Sequence, residues 1–271
     1  MSLDPAPDTL TFIGTATTLL RLGPFTLLTD PNFLHRGQWV HIGHGVRTRR
    51  RTEPAAQPSD LPDLDAVVLS HLHGDHFDTT ARRELDRDVP ILTTHHAARR
   101  LGRSGFTSTA PLRTWNTEVL KKGEATVTVT AVPARHSGTV LDHLVLPPVM
   151  GSVLEYRPTP TSSPLRIYLS GDTLPHRQLR PIAERFPSLD LAVMHLGGTR
   201  VLGLWLSMND RHGADLLELL EPAEAVPVHH DDYGLFTSPV SNFLVEVAER
   251  RLPTQVRLLR RGESLSLRTE R

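Results

Sequence analysis

One short stretch concentrates reactive side chains: Ser70-His71-Leu72-His73-Gly74-Asp75-His76-Phe77-Asp78. His71 and His73 stand two apart at the end of an extended segment, so they project to the same side and can bind one metal ion through two imidazoles. Gly74 permits a tight reversal, after which Asp75 and His76 face a second cation nearby. The chain holds 15 histidines and no cysteine. Disulfides, thiolate zinc sites and cysteine nucleophiles are therefore excluded, and any metal must sit on nitrogen and oxygen.

The motif needs a strand to carry it, and residues 65–70 (DAVVLS) supply a short continuous apolar run that suits a strand buried on both faces. Upstream, residues 9–13, 17–22 and 25–29 read as strands that open the fold, with a turn at Gly23-Pro24. Residues 31–62 show no sustained period and predict a long irregular loop, of a kind that is more often functional than idle. Downstream, residues 79–85 read as a helix, 90–93 as a strand, and 95–101 as a short helix closed by Gly102. A hairpin is predicted over 119–132, turning near Lys122-Gly123. Strands follow at 149–156 and 165–170, then a helix over 175–186 and a buried strand over 189–196. Asn209 or Asp210 caps a helix whose Ala214, Leu217 and Leu220 share one face, residues 225–228 lead into His229-His230, and a helix over 238–251 precedes one last strand. The run PTPTSSP at 158–164 reads as a surface loop. Strands followed by strand–helix units, in two halves, predict an α+β fold, a four-layer αββα sandwich of two mixed β-sheets flanked by helices. Residues 1–271 form one domain in this reading.

The motif is the HxHxDH signature, and the chain resembles the metallo-β-lactamase superfamily over nearly its whole length. That resemblance implies a further histidine, a bridging aspartate and a last histidine at the ends of later strands. His136 in VPARHS, Asp172 in YLSGDT and His229 in AVPVHHDD stand in that order. Carried over residue by residue, His71, His73 and His136 hold a first metal, Asp75, His76 and His229 a second, and Asp172 bridges both. Two dications sharing a carboxylate can ionise a hydroxide between them near neutral pH, a nucleophile that needs no serine or cysteine. Asp75 and Asp172 are the expected catalytic carboxylates, with Asp75 orienting the water or shuttling its proton. Zinc is the default pair of divalent ions, with manganese or iron as alternatives for an all nitrogen-and-oxygen cage.

Several residues around this set have two readings each. Asp30 either fixes a ligand imidazole or starts a turn before Pro31. The resemblance places the last ligand directly at the strand end, which favours His229 and leaves His230 lining or supporting. His176, His195 and His212 fall near strand ends or in loops facing the expected cleft, and His195 is the foremost of them, as a residue that either touches substrate or supports a ligand. His95 and His96 read as surface residues. His35, His41 and His44 belong to the long loop and could cover the cleft. The cluster Arg47, Arg49, Arg50 and Arg51 is either a solvated loop or a site for an anionic substrate or headgroup.

The opening TFIGTATTLLRLGPFTLLTDPNF, the arginine-bearing loop and Ser207-Met208-Asn209 are similar to the branch containing ascorbate-6-phosphate lactonase and N-acylphosphatidylethanolamine-hydrolysing phospholipase D. Relatives often carry Gly-His-Ala-Thr in the first turn where this chain has Gly14-Thr15-Ala16-Thr17, so the resemblance transfers no particular substrate. Thirty basic residues balance 30 acidic ones, and the short interval between Asp172 and His229 leaves no room for the insert of nucleic-acid-processing relatives. With no signal-peptide pattern and no long apolar run, a cytoplasmic protein without stable membrane association is expected. The expected activity is metal-dependent hydrolysis of a phosphoester or lactone in a small molecule, with no nucleic-acid partner and homo-oligomer formation left open. The other readings of the same cage are an iron-dependent, thiol-dioxygenase-like oxidoreductase and a metal-binding protein without catalysis.

Overall fold

Three strands, β1 (Thr9–Gly14), β2 (Thr17–Leu22) and β3 (Phe25–Thr29), open the chain as an antiparallel meander. β6 (Ala66–Val68) then runs parallel to β3 and to β7 (Ile91–Thr93), and all of its residues are buried, as its apolar sequence requires. With β8 (Thr109–Pro111) at one edge and β18 (Ser264–Ser266) at the other, the first sheet has the order β18-β1-β2-β3-β6-β7-β8. This is a computed structural model, and it describes residues 7–42, 46–137, 146–201 and 203–267.

The second sheet pairs β9 (Thr117–Lys122), β10 (Ala125–Val132), β11 (Gly151–Arg157) and β12 (Leu165–Leu169) antiparallel. It continues in parallel through β13 (Leu191–His195), β16 (Glu224–Val228) and β17 (Gln255–Val256). Both sheets are mixed, as expected. Leu20 and Leu27 of the first sheet and Val127, Leu154 and Val193 of the second share the core between them. Helices α1 (Thr79–Glu84) and α2 (His95–Arg103) cover the outer face of the first sheet through Ala81, Ala97 and Leu101. Helices α3 (Arg180–Arg185), α4 (Asp210–Leu220) and α5 (Val240–Glu249) cover the second through Ile182, Leu216, Leu217 and Phe243. The αββα order is thus observed.

Several boundaries differ from the sequence reading, each for a local reason. α2 passes through Gly102 to Arg103, and Ser104 closes it by donating its hydroxyl to the Arg100 carbonyl. The segment after Asp172 enters a 3-10 turn (Arg177–Leu179) before α3, whose first turn holds Pro181. The 31–62 segment is not wholly irregular, because β4 (Trp39–His41) and β5 (Arg47–Arg49) pair as a ribbon. A second ribbon, β14 (Arg200–Val201) with β15 (Leu204–Trp205), has no counterpart in the sequence reading, since strands of two residues are too short to show alternation.

The cap of α4 is Asn209, whose side-chain oxygen accepts from the His212 amide at 2.9 Å. Asn209→Ala is expected to lower stability by about 1 kcal/mol, read as a fall of roughly 2–4 °C in the thermal midpoint. Asp210→Ala, which removes a first-turn charge and a long 3.4 Å hydrogen bond from the Ser238 hydroxyl, is expected to lower it less. Equal midpoints for Asn209→Ala and the parent chain would show that the cap contributes nothing. Among the described residues, no helix is long and apolar enough to cross a membrane.

Candidate metal centre

All of the expected ligands follow strand ends on one edge of the sandwich. β6 delivers His71, His73, Asp75 and His76, β10 leads to His136, β12 to Asp172 and β16 to His229. Gly74 is needed in the first of these turns, because a Cβ there would lie 2.3 Å from the His41 carbonyl oxygen of β4. Gly171, at φ +58°, performs the corresponding service before Asp172, where the Met150 carbonyl approaches.

The side chains converge. Donor atoms of His71, His73 and His136 lie within 4.8 Å of one another, as do those of Asp75, His76 and His229, and of His71, His76 and Asp172. His71 Nε2 stands 2.9 Å from His73 Nδ1, and the His71 and His136 rings are 4.5 Å apart. Asp172 Oδ1 lies 3.4 Å from His76 Nε2 and 3.7 Å from His229 Nδ1, which places it between the two groups. Asp75 Oδ2 faces His229 Nε2 at 3.3 Å.

An outer layer fixes the imidazoles. His136 Nδ1 donates to the Leu206 carbonyl at 3.2 Å, His229 Nδ1 to the Leu196 carbonyl at 3.2 Å, and His76 Nδ1 to Asp30 Oδ2 at 2.9 Å. Each ring is thereby anchored through one nitrogen, which leaves the other for the centre. Asp30, held at φ +35°, also accepts from the Ser70 amide and hydroxyl and from His195 Nε2. Its surroundings are those of an imidazole support, not of a simple turn-starting residue.

The donor set fits divalent cations. His76 Nε2, His136 Nε2, Asp75 Oδ1 and Asp172 Oδ1 are buried and have no hydrogen-bond partner. Burial and the neighbouring His136 push His73 down to about 3, and burial lowers His71 and His136 too. These three rings are neutral near pH 7, with lone pairs to offer. His76 and His229 are shifted upward: burial opposes their charge, but Asp172 outweighs it, aided by Asp30 for His76 and Asp75 for His229. Asp172 is held well below the usual carboxylate range, since His229 and His76 outweigh its desolvation. This end of the cage therefore calls for positive charge, which a metal ion would supply.

Other candidates fall elsewhere. His195 is buried behind His76, stacked on it at 5.7 Å, and it joins Asp30 and Ser170 rather than the cleft. His230 turns toward Asp231, leaving His229 at the cage. His35 pairs with Glu53 on the surface, His212 sits edge-on to Trp205, and His44 lies outside the described residues. His176 is half-buried, moved down to about 4 by burial and Arg135, and belongs to none of the ligand groups. His41 and, unlike the surface placement read from the sequence, His96 line the cleft beside His73. The arginine cluster is neither wholly solvated nor gathered at the cleft: Arg50 is 1% exposed and locked to Asp232 and Asn32, while Arg49 stacks on Trp39. Asp78 had no assigned role in the sequence. It caps α1 through the Ala81 amide and accepts from the Phe33 and Leu34 amides, tying the motif to the long loop.

Comparison with known proteins agrees with this architecture. The sequence model described as beta-lactamase superfamily domain matches residues 26–230, and the chain belongs to that superfamily. A metal-dependent hydrolase of Deinococcus radiodurans is 30% identical over 203 residues, covering 74% of this chain and 80% of the relative. N-acyl-phosphatidylethanolamine-hydrolyzing phospholipase D 1 of Caenorhabditis elegans is 26% identical over 242 residues, 84% of this chain and 65% of that one. The crystal structure of a possible metal-dependent hydrolase from Veillonella parvula superposes with a TM-score of 0.78 at 20% identity, covering 96% of this chain and all of the other.

Proposed function

We propose that this chain is a metal-dependent hydrolase that cleaves a phosphoester or lactone bond in a small molecule. The observation that carries the reading is the convergence, from both sheets, of His71, His73 and His136 beside Asp75, His76 and His229, with Asp172 between them. When bound, a pair of divalent cations, zinc by default, would polarise the scissile group and ease the ionisation of water. His71, His73 and His136 would hold one ion, Asp75, His76 and His229 the other, and Asp172 both. Asp75, whose Oδ1 is buried and without a hydrogen-bond partner, would orient the attacking water or shuttle its proton. The surrounding clefts, about 560 and 800 Å³, suit a small-molecule substrate.

Metal analysis of the purified chain, with assays on bis-(p-nitrophenyl) phosphate and simple lactones, tests the reading. Chelation is expected to abolish turnover and zinc or manganese to restore it. A metal held at 100 times its dissociation constant should also stabilise the fold by about 2.7 kcal/mol, visible as several degrees in the thermal midpoint. A metal-loaded chain that leaves both substrate classes intact would remove the proposal.

A further inference from the structure

The larger cleft opens directly beside His73 and is walled by α1, α2 and the β4 strand. Arg82 of α1 and Arg100 of α2 both line it, and among the described residues neither forms an ion pair. Among the described residues the Arg82 guanidinium has one hydrogen bond, from Nη1 to the Ser104 hydroxyl at 2.8 Å. Asp78 also lines this wall, but its oxygens accept from the amides of Ala81, Phe33 and Leu34. We propose that this cleft is an oxyanion subsite, in which Arg82 and Arg100 bind a carboxylate or phosphate that the substrate carries away from the bond being cleaved.

The inference rests on the hydrolase reading for the position of the scissile bond, and on the cleft itself for the anion. Two guanidinium groups brought together on a partly desolvated wall repel one another. Arg82 shows the result: burial, then Arg100 and Arg87, move its pKa down from the usual arginine range. An oxyanion between the two would relieve that repulsion, and its geometry matches the guanidinium fork. His96 adds a buried Nδ1 with no partner, and burial followed by Arg100 keeps its ring neutral near pH 7, so it can donate one N–H without further charge. Across the cleft stands Trp39, 55% exposed and with the Arg49 guanidinium 4.5 Å from its ring centroid, an aromatic body beside which the organic part of the same molecule can pack. The other cleft, along His136, presents one guanidinium among its described lining, Arg135, beside Trp115, Pro133, Pro147 and Pro148, so the paired guanidinium groups stand on the His73 side.

The test compares kcat/KM of the metal-loaded full chain on lactones and phosphodiesters that differ only in a remote hydroxyl, carboxylate or phosphate. At low salt the remote anion is expected to raise kcat/KM about tenfold or more over the hydroxyl, chiefly through KM, and the larger of the two gains identifies carboxylate or phosphate. The double variant Arg82→Gln/Arg100→Gln should bring that ratio close to one, and Arg82→Glu/Arg100→Glu should turn the preference toward a remote amine. A misfolded chain could not produce that reversal. Arg83→Gln/Arg99→Gln, which removes equal charge from the same helices outside the cleft, should leave the ratio as it was. Calorimetric titration of inorganic phosphate into the metal-loaded chain gives a readout independent of turnover, with an expected weakening of about tenfold in the Arg82/Arg100 glutamine variant. If no substrate is cleaved but phosphate affinity falls in that variant, the subsite stands and the hydrolase reading fails. Equal substrate ratios and equal phosphate affinities in parent and variants would overturn the subsite.

Discussion

Replacing Asp172 with alanine is expected to slow hydrolysis on the order of 10³-fold or more, about 4 kcal/mol of lost transition-state stabilisation. The reason is its position. Asp172 Oδ1 lies 3.4 Å from His76 and 3.7 Å from His229, it also belongs to the group that holds His71, and its charge is the leading influence raising both His76 and His229 above their ordinary pKa. His73→Ala should lose activity to a similar degree, because it removes one of three neutral nitrogens from a single group. His195→Ala acts at one remove, through Asp30 and His76, and should reduce activity or metal affinity only about 10- to 100-fold. Steady-state rates at saturating metal, together with metal content, separate these cases. Full rate in Asp172→Ala would show that the reaction centre lies elsewhere.

The second large effect is on stability. Arg50→Ala is expected to destabilise the fold by about 3 kcal/mol, a fall in the thermal midpoint of roughly ten degrees, because it removes the wholly buried partner of Asp232 and leaves only the part-exposed Arg261 to offset that buried charge. Both side chains of this pair are wholly buried, 3.1 Å apart. Asn32 accepts from Arg50 and from the Tyr233 hydroxyl, and Asp232 also accepts from the Thr15 amide, Thr52 and Arg261. Arg49→Ala, on the exposed Trp39 face, should stay within about 0.5 kcal/mol of the parent. A midpoint for Arg50→Ala as high as that for Arg49→Ala would refute the assignment. The pair also has a pH signature. Burial raises the Asp232 pKa, but Arg50 and Arg261 outweigh it and hold the carboxyl below its usual range. Its stabilisation is therefore fully present above the unfolded value of about 3.9 and is lost as pH falls through the lower folded value.

Much of this was legible in the sequence, and the remainder was hidden for identifiable reasons. The DAVVLS run announced a buried parallel strand, and HLHGDH at its end announced the cage, because ligand spacing along one strand end is a local property. Placing His136, Asp172 and His229 needed the resemblance as well, since three separate strands bring them to the site. Arg50 could not be told from Arg47 or Arg49 by pattern. Its burial follows from Asp232, 182 positions away, and no local period encodes that distance. His195 shows a different limit: a histidine at the end of a buried strand left contact with substrate and support of a ligand both open, and the second sheet carries it behind His76, against Asp30. His96 reads as helix surface until the β4 wall is seen to face it.

The Thr15 segment joins the buried ion pair to the centre. Thr15 stands where resembling chains often have a histidine, is fully buried at φ +53°, and receives the His229 amide at its carbonyl at 2.6 Å while giving its own amide to Asp232. His229 itself sits at φ +59°, a backbone state that a non-glycine residue keeps only when its neighbours enforce it. The posture of His229 is thus set partly by a salt link outside the candidate ligand set. Drift during divergence would be tolerated in the outer helices far more readily than at this hidden hinge-pin, where a change to one charge would be felt as a loosened ligand.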